Sequence, residues 1–342
     1  MVKTFNKILF FYVFLNLSVM GQTYKELHKD AILVDMHNDL LTETVDGYDW
    51  SVKNKTKHTD IPRLIEGGVN VQFLAAWISP RKKYHYQKAM ELVERFNVNV
   101  EKNKSKIGQA TNYKEIIKLH QEGKIAFVLC LEGGSVIENS IEKLKEFYSH
   151  GARYMTITWN NDLEWATAAK STNSNKKGLS AFGKKVIKTM DSLGMIIDVA
   201  HTGVKTIEDI LKTTKNPIIA SHSGAYAINP HYRNLTDEQI VAIAESGGVI
   251  GINFCAWFLS PTRTATVKDI VDHIDYIVKL VGVDYVGLGS DYDGISSIPK
   301  GMENVSKYPL ITKTLLERGY SEKDIKKILG GNILRVIKQV CK

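Results

Sequence analysis

Eight short apolar runs recur along this 342-residue chain, each followed by a segment of helical periodicity. They are AILVDM (31–36), VNVQFLAAW (69–77), IAFVLCL (125–131), RYMTITW (153–159), MIIDVA (195–200), PIIASH (217–222), GVIGINF (248–254) and YVGLGS (285–290). Several are almost continuously apolar and rich in Val and Ile, the pattern of strands buried on both faces. Between them lie amphipathic stretches such as SIEKLKEFYSH and VKDIVDHIDYIVKLVG. Eight strand–helix alternations predict an α/β chain closed into a (β/α)8 TIM barrel. An open doubly wound sheet fits less well, because no glycine-rich phosphate fingerprint follows an early run. No linker-like stretch divides the chain, so residues 22–342 are expected to form one barrel domain.

The first 21 residues stand apart. MVKTFNK carries two lysines and no acid, ILFFYVFLNLSVM is an apolar run short for a bilayer, and Val19 and Gly21 offer small residues before Gln22. That is the layout of a signal peptide. Export to the periplasm or the extracellular space is expected, with no stable membrane anchor after cleavage. The formal net charge of +8 is scattered among acids, as in KYHYQKAMELVERF. A nucleic-acid partner would require that charge to be clustered, so none is expected. The three cysteines, Cys130, Cys255 and Cys341, show no CxxC spacing and are too few for a disulfide framework. Cys130 and Cys255 lie in apolar runs and read as small buried hydrophobes.

In a barrel of this kind chemistry is built at the C-terminal ends of the strands, so the residues closing each run matter most. The first run ends in His37 and Asp39, the third in Glu132, the fifth in His201, the sixth in His222 and the eighth in Asp291 and Asp293. Taken singly, a histidine at a strand end is an ordinary polar residue, and a carboxylate beside glycines is a turn or a helix cap. Taken together, the carboxylates crowded at one rim would repel one another and a bound cation would relieve them. Three histidines and two carboxylates without a thiolate suit zinc or a similar divalent ion. Five such ligands exceed one tetrahedral site and suit two metals sharing a bridge. Asp35 reads as structural, and His231 as ambiguous.

The stretches MHNDL, LEGG, RYMTIT, DVAHTG, SHSGAY, YRN, GLGSDYDG and ENVSKYPLI, in this order, resemble the membrane (renal) dipeptidase family of zinc metallopeptidases. The resemblance runs from about residue 31 to 340 and implies two Zn2+. By it His37 and Asp39 are ligands of the first zinc, Glu132 bridges both, and His201 and His222 bind the second. Asp291 resembles the residue that handles protons, and Arg233 the one that pairs with the free carboxylate of a dipeptide substrate. The implied reaction is hydrolysis of the peptide bond of dipeptides, L–D pairs included, by a hydroxide between the metals. A homodimer is the implied assembly. One position departs: after RYMTIT, better-known members carry a histidine thought to polarise the scissile carbonyl, and here stand Trp159, Asn160 and Asn161. Trp159 and Asn160 are therefore expected at the substrate. The same departure keeps open a hydrolase of another small amide or lactam, or a binding protein that retains the metals without turnover.

Overall fold

A computed structural model describes residues 24–43 and 47–342; the expected signal peptide, residues 1–21, lies outside them. Nine strands form one sheet: β1 (Leu33–Asp35), β2 (Val69–Trp77), β3 (Ile107–Gln109), β4 (Ile125–Glu132), β5 (Tyr154–Thr156), β6 (Ile196–Asp198), β7 (Ile219–Ser223), β8 (Val249–Ile252) and β9 (Val286–Leu288). Their order is β2-β1-β9-β8-β7-β6-β5-β4-β3, and β2 also pairs with β4. That extra pairing closes a parallel barrel and leaves β3 outside it, so eight strands make the wall, as the eight runs predict. β3 is absent from that set of runs. It is three residues long and flanks only the start of β4, at Ile125–Phe127.

Alternation along the strands sorts their side chains into two layers. Val34, Met36, Val71, Phe73, Val128, Cys130, Ile196, Ile219 and Val249 fill the barrel interior. Their neighbours Leu33, Leu74, Leu129, Met155 and Ile197 face outward into the helical layer. Helices such as Ala181–Leu193, Val204–Thr213, Asp237–Glu245 and Val267–Val281 carry the chain back between strands. Two of them start at capping boxes, on Thr236 and Thr266, which satisfy backbone N–H groups that the first turn leaves unpaired.

The last helix, Asn332–Val340, closes the lower end of the barrel. Ile333, Val336, Ile337 and Val340 join the interior cluster. Asn332 donates to the carbonyls of Val283 and Val286, and Arg335 to those of Gly247 and Asp284, at or just before the starts of β8 and β9. The interior is therefore sealed below, and polar side chains converge above. Cys130, Cys255 and Cys341 are buried free thiols. No helix among the described residues is long and apolar enough to cross a membrane.

Candidate active site

Each ligand-type side chain stands at or just beyond the C-terminal end of its strand. Glu132 closes β4, and its register partner Trp77 closes β2. His37 and Asp39 follow β1, His201 follows β6, Asp291 follows β9, and His222 lies within β7. The barrel brings all six to one buried rim. Three triads keep their ligand atoms within 4.8 Å of one another: His37–Asp39–Glu132, Glu132–His201–His222 and His37–His222–Asp291. Glu132 belongs to two of them. Its Oε2 lies 3.7 Å from His37 Nε2, while its Oε1 lies 3.1 Å from His201 Nε2 and 3.6 Å from His222 Nε2.

The outer partner of each imidazole decides where its proton sits. The Tyr154 hydroxyl donates to the Met36 carbonyl at 3.0 Å, so its oxygen receives the His37 Nδ1–H at 2.7 Å. Ser221 Oγ donates to Asp198 Oδ2 at 2.7 Å and receives the His222 Nδ1–H at 2.8 Å. Asn160 Oδ1 receives the His201 Nδ1–H at 3.0 Å. All three histidines thus turn Nε2 into the cluster, His201 and His222 as lone pairs. There the Nε2 atoms of His201 and His222 face each other at 3.0 Å, and His37 Nε2 is buried without a hydrogen-bond partner. Acceptors crowded together in a buried site without donors are costly, and a cation resolves the conflict. The donor set is imidazole nitrogen and carboxylate oxygen, which suits zinc or a similar divalent ion. The two oxygens of Glu132, one turned to each triad, fit a pair of ions.

The electrostatics agree. Burial lifts the Asp39 and Asp291 carboxyls above their ordinary range, and the charge of Glu132 adds to both. Burial acts on Glu132 too, but His37 and His201 outweigh it and hold that carboxyl low. Burial, with the charge of Arg233, pushes His201 down to about 3, and burial likewise lowers His222 well below the imidazole range. His37 moves the other way, because Glu132 and Asp39 outweigh its burial. A divalent ion would favour the ionised form of every carboxylate here.

The backbone is strained at the same place. His201, Asp291 and Asp293 adopt left-handed conformations, with φ of 62°, 63° and 67°, each costing about 1–3 kcal/mol that the surrounding structure must hold. Gly294 lets the chain pass close by: a Cβ there would stand 2.1 Å from Asp39 Oδ2 and 2.5 Å from Asp291 Oδ1. Asp291 is oriented by Asn253, whose Nδ2 donates to Oδ2 at 2.9 Å.

A cavity of about 250 Å3 opens above the cluster, lined among others by Trp159, Asn160 and Arg233. Arg233 is buried; its Nη2 donates to the His222 carbonyl at 3.1 Å and its Nε has no partner. Asn160 borders the cavity, yet its Oδ1 is engaged by His201. His231 stacks on Phe258 at 4.6 Å, outside the cluster. Reading the sequence missed Tyr154, Asp198, Ser221 and Asn253. The available signal was polarity inside apolar runs: Asp198 and Ser221 each interrupt a buried strand, where a polar side chain must have a partner.

Comparison with known proteins places these observations. The family described as membrane dipeptidase, peptidase family M19, matches residues 21–342. An uncharacterized dipeptidase of Schizosaccharomyces pombe is 36% identical over 344 residues, covering 93% of this chain and 82% of its own. The probable dipeptidase PvdM of Pseudomonas aeruginosa superposes with a TM-score of 0.88 at 24% identity, over 94% of this chain and 98% of that one. A metallo peptidase from Rhodobacter sphaeroides, liganded with a phosphinate mimic of L-Ala-D-Ala, superposes with a TM-score of 0.85 at 24% identity, over 91% and 100%.

Proposed function

The chain belongs to the membrane dipeptidase family, and from that premise we propose that this metallopeptidase is a zinc enzyme splitting dipeptides, L–D pairs included, at a two-metal site. The observation that carries the proposal is the buried cluster of ligand-type groups, with three Nε2 atoms turned to the two oxygens of Glu132. His37, Asp39 and Glu132 would hold one ion, and Glu132, His201 and His222 the other. Zinc, when bound, supplies a Lewis acid for the carbonyl and a water acidic enough to attack near neutral pH.

The remaining tasks fall to the chain itself. Asn253 fixes Asp291 Oδ2, leaving Oδ1 to accept a proton and return it to the leaving amine. Arg233 grips the free carboxylate with donors that no side chain uses. Dipeptide selectivity would come from that grip, within the cavity of about 250 Å3 around it. Trp159, in place of a histidine, offers only a neutral N–H. Asn160 has committed its Oδ1 to His201, so its Nδ2 is the donor this strand end can offer the carbonyl.

A two-metal count in the purified mature chain, with turnover across a dipeptide panel that includes L–D pairs, tests the proposal; fewer than two metals in replete buffer would refute it. Asp291→Asn should keep both metals and lower kcat by about 10²–10⁴. Trp159 favours a second reading, hydrolysis of another small amide or lactam, if a fully loaded enzyme leaves all dipeptides intact. Retention of Asp291 with its Asn253 partner speaks against a binding protein without turnover. Residues 1–21 are taken as a signal peptide directing export to the periplasm or beyond, which N-terminal sequencing of the exported protein would check.

A further inference from the structure

The cavity above the cluster has two unlike ends, because β2, which closes in Trp77, and β7, whose following loop carries Arg233, stand four strands apart either way round the wall. At one lies the buried guanidinium of Arg233, over the Phe258 ring at 5.7 Å. At the other, two indoles meet: the rings of Trp77 and Trp159 are 5.1 Å apart and tilted by 55°, and Trp159 reaches His201 at 6.0 Å. Both indoles are half-buried and line the cavity. The barrel itself places Trp77, the last residue of β2, directly beside Glu132. Trp159 is seated against Gly133, whose φ is 86°, and a Cβ at that glycine would stand 3.3 Å from the Cβ of Trp159. A side chain at 133 would be strained by its backbone and would crowd the indole.

We infer that the Trp77–Trp159 pair receives the side chain of the substrate's N-terminal residue, and that it selects apolar and aromatic residues there. The inference rests on the dipeptidase reading above. In an extended dipeptide the free carboxylate and the first side chain lie on opposite sides of the scissile amide. With the carboxylate at Arg233 and the amide over the cluster, the first side chain is left at the indole end. Two ring faces reward apolar area removed from water and offer an anionic side chain nothing in exchange for its hydration. A lysine there could find a ring face, but the charge of Arg233 and of the metals opposes it.

The test uses the metal-loaded full chain and a series X-Ala with X as Gly, Ala, Leu, Phe, Asp and Lys. Leu-Ala and Phe-Ala should exceed Gly-Ala in kcat/KM by at least about tenfold, within the range that apolar pockets achieve. Trp77→Ala and Trp159→Ala should each collapse that ratio by about tenfold, through KM more than kcat, with metal content unchanged. Trp159→Phe, which keeps a ring, should preserve it even if an alanine variant fails to fold. Turnover with no apolar preference, a preference for Lys or Asp, or a ratio that survives loss of the indoles would overturn the inference alone. Failure of the loaded wild type to split any dipeptide would overturn the dipeptidase reading and this inference with it.

Discussion

Ser221 carries two hydrogen bonds of opposite sense, giving one to Asp198 and taking one from His222. Asp198 also receives the backbone N–H groups of Ala200 and Ser221 and the hydroxyl of Thr156, so one buried carboxylate ties together the ends of β5, β6 and β7. Asp35 does the same across the barrel. It receives Ser290 N at 2.8 Å, Ser290 Oγ at 2.7 Å and Gln72 Nε2 at 2.9 Å, and Ser290 directly precedes Asp291. Each aspartate thus steadies a serine whose next residue belongs to the cluster. Ser221→Ala removes the acceptor that keeps the His222 proton outward. It should weaken metal binding by about 10–100-fold, read by competition with a chelator, while circular dichroism stays unchanged. At this scale the sequence showed which residues end strands, because His37, Glu132, His201, His222 and Asp291 close apolar runs. It did not show their partners, because Ser221 and Asp198 are 23 positions apart and meet only through strand pairing.

The eight strands were legible because each is an apolar run, and five of them close on His, Asp or Glu. Their lengths were less so: the run at 153–159 pairs only over Tyr154–Thr156, since the chain leaves the wall to carry Trp159 and Asn160 into the mouth. β3 escaped notice because IGQ contains one isoleucine and no period. The closing helix was readable as amphipathic, but nothing in ILRVIKQV says that its apolar face enters a barrel rather than covering one from outside. Ile337, 3% exposed and facing the interior cluster, measures that role. Ile337→Ala should cost about 2–5 kcal/mol, seen as a lower urea midpoint with an unchanged slope.

For the whole molecule, four buried imidazoles set a common response to acid. Burial lowers His28, His201, His222 and His273 below their ordinary range. Below about pH 6.5 the unfolded chain takes up protons that the folded histidines refuse, so stability falls as pH drops. Each group contributes up to about 1.4 kcal/mol per pH unit, and for His201 the loss continues down to about pH 3. Asp39 and Asp291, raised by burial, and His37, raised by Glu132 and Asp39 against its burial, pull the other way in the metal-free protein: they hold protons that the unfolded chain releases, a contribution present in acid and lost as pH rises. The Tm of the loaded protein should therefore decline more steeply between pH 7.5 and 5 than that of chelator-treated protein. The closing helix has a last consequence, for traffic. With the floor of the barrel stoppered by Ile333, Ile337 and Val340, the chamber is a cul-de-sac. A dipeptide would enter through the mouth from which both amino acids must depart, so each turnover would wait for the chamber to be vacated, and accumulated amino acids would slow the enzyme simply by standing in the doorway.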